Sequence, residues 1–184
     1  MGRKYAIRDQ EALYFVTFTI VNWIDLFIRD EYKEVLIDSL DYCQQHKGLR
    51  VHAYCLMTSH IHLILSVNEG KRLSDVIRDF KSFTSSQLRQ LISENNRESR
   101  REWLLWMFEN AGKRNNRNSD FQLWQQHNHP VELNTNEKVQ QRLNYIHNNP
   151  VVAGFVDDPA TWIWSSCSSY HKGIKDRIEL IYIG

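Results

Sequence analysis

The sequence of 184 residues lacks the features that define several large classes of protein. No apolar run approaches the roughly 20 residues that span a membrane, and the N-terminus lacks the uninterrupted apolar segment of a signal peptide. It also contains no nucleotide-binding loop. No repeat or low-complexity linker divides the chain, and 42% of its residues are hydrophobic. We therefore expect one domain over residues 1–184.

The chain also has few cysteines and a net charge close to zero. The three cysteines, Cys43, Cys55 and Cys167, are odd in number and form no C-x-x-C pair, which indicates reduced thiols and no zinc knuckle. We expect a soluble, cytoplasmic protein with no membrane partner. The 23 Lys and Arg nearly balance the 22 Asp and Glu, so any basic surface that binds nucleic acid must be local.

The spacing of apolar residues predicts strands and helices in alternation. Strands are expected over residues 13–22, 49–58 and 60–67, and helices over residues 29–48, 72–95 and 134–149. The second and third strands should form an antiparallel pair around Thr58 and Ser59. The last helix should open at Asn134, in a capping-box pattern with Glu137, and end at Pro150. This order predicts an α+β fold whose helices pack on one face of an antiparallel sheet.

An insert at about residues 96–120 is the least regular part of the sequence. Residues 100–112 are apolar enough to form a short helix, whereas KRNNRNSD contains no apolar residue and predicts a mobile basic loop. Lys113, Arg114 and Arg117 in this loop could contact phosphates. A solvated connector between helices explains the same residues.

Two histidines begin the strand at residues 60–67. Because residues i and i+2 point to the same face of a strand, His60 and His62 should project together, away from Ile61 and Leu63. Two neutral imidazoles in this arrangement can chelate one divalent ion. The short His-x-His pattern also occurs by chance, and two solvent-facing histidines would explain it.

A second group of polar residues lies on the helix that precedes Pro150. Its apolar stripe consists of Val139, Leu143 and Ile146. Lys138, Arg142, Tyr145 and Asn149 fall together on one flank of that stripe. A tyrosine, a carboxamide and two cations fit a nucleophile, a metal ligand and phosphate-binding groups. An ordinary solvated helix face has the same composition.

Together the two segments are far more specific than either alone. A His-hydrophobe-His strand, followed after about 80 residues by YIHNNPVVAGFV and then by WIWSS, resembles the HUH-type single-tyrosine transposases. Within them it looks closest to the insertion-sequence transposases and their REP-associated tyrosine transposase relatives. The resemblance extends from about residue 10 to residue 170 and depends most on LMTSHIHLILSV, FQLWQQHNHPVEL and YIHNNPVVAGFV.

The resemblance implies a ferredoxin-like antiparallel sheet that carries the histidine pair, and a neighbouring helix that presents one tyrosine to single-stranded, hairpin-containing DNA. His60, His62 and Asn149 would then hold Mg²⁺ or Mn²⁺. Tyr145 would be the nucleophile and form a 5′-phosphotyrosine, leaving a free 3′-hydroxyl. A phenol, with a pKa near 10, needs such an ion to withdraw charge from the phosphate. The expected DNA contacts are Lys113, Arg114, Arg117, Lys138 and Arg142.

The sequence leaves the third metal ligand open among Asn149, Gln125, His127 and His129, of which we favour Asn149. His147 follows Tyr145 closely but lies about 200° away around the helix, so a structural or a DNA-contacting role is expected. The chain could be a monomer or a homodimer.

Two other functions also fit the sequence. The first is a non-catalytic, domesticated protein that binds single-stranded nucleic acid with Arg114, Arg117 and exposed tryptophans such as Trp124. The second is a small hydrolase in which the histidine pair holds a metal and water is the nucleophile.

Overall fold

The computed structural model describes residues 6–115 and 120–183. Its elements are β1 (Tyr14–Thr19), α1 (Asp30–Lys47), β2 (Leu49–Leu56), β3 (His60–Val67), α2 (Leu73–Glu94), α3 (Arg101–Lys113), β4 (Val131–Glu132), α4 (Asn136–Val152) and α5 (Cys167–Lys172). Among these described residues, no helix combines the length and the apolar character needed to cross a bilayer. Arg117 lies outside the described residues.

The four strands form one antiparallel sheet in the order β2-β3-β1-β4. β2 and β3 form the predicted hairpin, in which Met57 N donates to His60 O at 2.8 Å. α1 connects β1 to β2, and α2 and α3 precede β4, which gives the ferredoxin-like arrangement that the resemblance implied. The two-residue β4 is missing from the sequence prediction because so short a segment shows no alternation.

The two faces of the sheet carry different helices. On β1, Tyr14, Val16 and Phe18 point into the larger core, which they share with α1 and α2 as predicted. α4 instead packs against the opposite face, where Leu143 and Ile146 are buried. The residues of the sheet that receive it are small or apolar: Phe15, Ala53, Cys55 and Ile64. Helices therefore cover both faces, because alternate strand positions are apolar on each side.

The ends of α4 differ from the prediction. Thr135, not Asn134, caps the helix, since the Thr135 hydroxyl accepts a hydrogen bond from Lys138 N at 3.3 Å. The Asn134 side chain accepts instead from Lys138 Nζ. The helix also continues past Pro150 to Val152. A proline this close to the C-terminal end costs the helix one backbone hydrogen bond and leaves the preceding turns intact.

The segment after α5 runs along the outer edge of β2. Ile181 N donates to Val51 O at 3.0 Å, and Ile181 O accepts from His52 Nδ1 at 2.8 Å. The Tyr170 hydroxyl donates to His52 O at 2.8 Å and accepts from Ile183 N at 3.2 Å. These contacts fix the C-terminal residues against the sheet.

Candidate active site

β3 presents His60 and His62 on the face that α4 covers, as the two-residue period of a strand predicts. The centroids of their rings are 4.6 Å apart. His62 is 4% exposed, whereas His60 is partly exposed at the start of the strand. The register of the sheet places Thr17 of β1 opposite His62, and Thr17 Oγ1 lies 2.8 Å from His62 Nδ1.

α4 brings Tyr145 and Asn149 to the same histidine. The Tyr145 ring contacts the His62 ring edge-on with a centroid distance of 5.1 Å, and Asn149 Nδ2 lies 3.3 Å from His62 Nε2. Since an amide nitrogen only donates, His62 Nε2 accepts, and its Nδ1 carries the proton that is donated to Thr17. The lone pair of His62 Nε2 therefore points towards Asn149.

Arg142 lies beside Tyr145 on the same side of α4. Its guanidinium is 4.8 Å from the centroid of the Phe15 ring and 5.8 Å from that of the Tyr145 ring. Phe15 also contacts Tyr145 edge-on at 5.9 Å. Tyr145 is nevertheless 44% exposed. An accessible phenol, two imidazoles, an amide and a cation thus converge in one place, and this combination suits chemistry on a phosphate.

The sequence of residues 14–108 matches the family described as Transposase IS200 like. This region spans just over half of the chain and includes both histidines of the site. The chain belongs to the IS200-like transposase family. It is a DNA transposase, as the resemblance of its motifs implied. No curated protein matches the sequence of this transposase.

The solved structures that are similar to this transposase include two other transposases. A REP-associated tyrosine transposase bound to a REP hairpin is 16% identical, with a TM-score of 0.64 over 100% of this chain and 92% of the other. This likeness confirms the α+β fold. A candidate transposase from Deinococcus radiodurans R1 is also 16% identical, with a TM-score of 0.45 over 80% of this chain and 95% of the other.

Burial keeps both histidines of the transposase neutral at physiological pH. Desolvation lowers the pKa of His62 to about 3, and the Coulombic interactions of a protonated His62 with His60 and Arg142 act in the same direction. Desolvation also lowers the pKa of His60, although the carboxylate of Asp25 opposes the effect. The nitrogen lone pairs are therefore available to a ligand without a proton being displaced.

The other residues considered as a third metal ligand point elsewhere. The Gln125 side chain donates to Ile20 O at 3.4 Å. His127 lines a cavity of about 630 Å³ beside α2, and His129 lines the neighbouring cavity of about 460 Å³. Asn149 is the candidate that the structure brings to His62.

The basic residues expected to contact DNA fall into two separate groups. Arg142 lies at the site, and Lys138 is exposed in the first turn of the same helix. Lys113 and Arg114 are at the end of α3, which packs on α2 and so lies on the side of the sheet opposite the histidines. The helix predicted in this insert is confirmed, and the structure does not bring its basic end to Tyr145.

The structure also shows the surroundings of two tryptophans and of His147. The expectation that Trp124 is exposed was wrong, because it is 5% exposed in the core and donates from Nε1 to Thr84 Oγ1 at 3.0 Å. The exposed Trp23 instead contacts the His60 ring edge-on at 5.4 Å. His147 is buried and its Nε2 lies 2.9 Å from Ser166 Oγ, which fits the structural one of the two roles expected for it.

Phe15, Thr17 and Trp23 also contact the site, although no motif in the sequence indicated a role for them. Alternation along β1 does place Phe15 and Thr17 on the face that the histidines share. The register that sets Thr17 opposite His62 depends on how β1 pairs with β3, which one sequence does not specify.

Proposed function

We propose that this transposase cleaves and rejoins single-stranded DNA through a 5′-phosphotyrosine on Tyr145, with a divalent ion held by His60, His62 and Asn149. The observation that carries the proposal is the meeting of α4 and β3. Asn149 and His62 are 87 residues apart in sequence, yet their nitrogen atoms lie 3.3 Å apart, with the accessible Tyr145 ring beside them. A tyrosine that served only to pack α4 on the sheet would not require an exposed side chain beside two neutral imidazoles.

The donor set fits Mg²⁺ or Mn²⁺. The Nδ1 atoms of His60 and His62 have hydroxyl partners in Ser59 and Thr17, which leaves both Nε2 atoms for a metal. Rotation of the Asn149 amide would present its Oδ1 as the third donor. Three protein ligands leave positions for water and a phosphate oxygen. When bound, such an ion supplies charge withdrawal at the phosphate and stabilisation of the leaving oxygen.

The side chains of the site can then carry out the strand transfer. Tyr145 Oη gives its proton to water and forms a bond to phosphorus, the bond from phosphorus to the 3′ oxygen breaks, and the departing 3′ oxygen takes up a proton from water. Phe15 and His62 hold the phenol ring in place, and Arg142 is close enough to bind a phosphate oxygen. Attack of a 3′-hydroxyl on the phosphotyrosine reverses these bond changes, so rejoining needs no nucleotide cofactor.

The proposed substrate is single-stranded DNA that contains a hairpin. This is supported by the solved relative, which is bound to a REP hairpin, and by the flank of α4 that carries Lys138 and Arg142 beside Tyr145. Cellular DNA as substrate would place the activity in the cytoplasm, where the buried thiols of Cys43, Cys55 and Cys167 would stay reduced.

The test is the formation of a covalent adduct. The protein is incubated with labelled single-stranded hairpin DNA and Mn²⁺, and a denaturation-resistant protein–DNA product is measured. Tyr145→Phe keeps the ring and removes only the oxygen, so it should bind DNA like the parent and form no adduct. Tyr42→Phe is the matched control, because Tyr42 is also exposed and also contacts a histidine, His46, but lies on α1.

The alternatives predict different outcomes. A hydrolase that uses water would release cleaved DNA without any adduct, and its Tyr145→Phe variant would still cleave. A binding protein without catalysis would retain hairpin DNA and leave it intact. Tyr54 and Tyr170 are poor substitutes for Tyr145, since their hydroxyls donate to Asp176 and to His52 O inside the fold.

A further inference from the structure

A second group of metal-ligating side chains lies between α4 and α5. His147, Cys167 and His171 each offer one ligand atom, and these three atoms lie within 4.8 Å of one another. His147 comes from α4, whereas Cys167 and His171 are four residues apart on α5 and therefore share one face of that helix. The proposed phosphate chemistry uses none of these residues.

The hydrogen bond of His147 occupies one of its ring nitrogens and leaves the other to bind a metal. Ser166 Oγ lies 3.2 Å from Tyr54 O and 2.9 Å from His147 Nε2, and when its single proton goes to Tyr54 O it accepts from Nε2. In that arrangement the proton of His147 is on Nε2, and the Nδ1 lone pair is uncommitted. Metal-binding histidines are commonly oriented through such a bond on their other nitrogen.

From this geometry we propose that His147, Cys167 and His171 form a zinc site that joins α4 to α5. One thiolate and two imidazoles are typical ligands of Zn²⁺, with a fourth position open to water. Ligand atoms around one tetrahedral Zn²⁺ lie roughly 3.3–3.7 Å apart, as follows from bond lengths of about 2.0–2.3 Å. His171 is exposed on a short helix and can close the remaining distance.

The site would act on structure rather than on the reaction. His147 lies two residues before Asn149 and on the other side of α4 from Tyr145. A metal bridge at this position would fix the C-terminal half of α4 against α5. The packing already present is the edge-on contact of His147 with Tyr170 at 5.1 Å and the hydrogen bond to Ser166.

Zinc binding to the full-length chain tests the inference. The His60→Ala, His62→Ala double variant removes the first proposed metal site, so that Zn²⁺ bound to it reports on the second. It should bind one Zn²⁺ per chain, measured by elemental analysis after gel filtration. Zn²⁺ at about 100 times its Kd should raise the melting temperature by roughly 5–10 °C. Co²⁺ as a probe should give the charge-transfer absorption of a cobalt–thiolate bond.

Two further substitutions, each made in the His60→Ala, His62→Ala double variant, test which residues bind the metal. His171→Gln changes an exposed side chain and should fold, yet it should lower Zn²⁺ affinity by about tenfold or more. Cys167→Ser should abolish the cobalt–thiolate absorption, whereas Cys55→Ser, the same change at another buried cysteine, should keep it. Absence of bound Zn²⁺, or unchanged affinity in His171→Gln, would overturn the proposal. If Cys167→Ser fails to fold, His171→Gln decides alone.

Discussion

At the scale of single residues, the His62 ring is held from both sides. Thr17 Oγ1 contacts its Nδ1 and Asn149 contacts its Nε2. Such a partner on the distal nitrogen fixes the orientation and tautomer of a metal-binding histidine. Thr17→Val keeps the shape of the side chain and removes this partner, so Mn²⁺ affinity should fall about 10–100-fold, as measured by calorimetric titration.

Thr19→Val is the control for this prediction. Thr19 lies on the same face of β1, opposite His60, and among the described residues no hydrogen bond joins its side chain to either histidine. The Thr19 variant should bind Mn²⁺ like the parent. Equal affinities for the parent and Thr17→Val would show that the threonine does not orient the ring.

The sequence was sufficient to find most of the candidate residues but not to bring them together. The strand period placed His60 and His62 on one face, and the helix period placed Tyr145 and Asn149 on one flank. That the flank faces the histidines depends on how α4 packs on the sheet, which no local period specifies. The expected one-sided packing would have left α4 away from the site.

At the scale of secondary-structure elements, α4 begins at a threonine cap. Because the Thr135 hydroxyl satisfies the free N–H of Lys138, Thr135→Ala should reduce the free energy of unfolding by about 1 kcal/mol, measured by urea denaturation. Asn134→Ala tests the capping box predicted from the sequence. It should have a smaller effect, since Asn134 bonds to the exposed Lys138 ammonium. The opposite order of effects would make Asn134 the cap.

The element boundaries show where local patterns stop being informative. Strong periodicity fixed β1, β3, α1 and α2 to within about two residues at most of their ends. Pro150 did not end α4, since a missing donor in the last turn costs little when Ile146 and Leu143 already anchor the helix. Turn-like composition likewise concealed β4, which pairs with β1 at only two positions.

At the scale of the whole molecule, the two basic groups lie on opposite sides of the sheet. A short single strand bound at Tyr145 should contact Lys138 and Arg142, so replacing both with Gln should reduce the slope of log affinity against log salt by up to about 1.4. Replacing Lys113 and Arg114 should change the slope only for a longer hairpin that reaches α3. Equal slopes for parent and both variants on the hairpin would assign the DNA contacts to other residues.

The hydrogen bonds between Ile181 and β2 have a consequence for the behaviour of the molecule in concentrated solution. β2 is an outermost strand of the sheet, and the C-terminal segment occupies the backbone carbonyl of Val51, with which a second molecule could otherwise pair. Exposed strand edges are templates for aggregation. Ile181→Pro removes the donor and should increase light scattering at high concentration, whereas Tyr182→Ala, at an exposed neighbour, should not. The C-terminal segment would then protect the solubility of the protein as well as complete its fold.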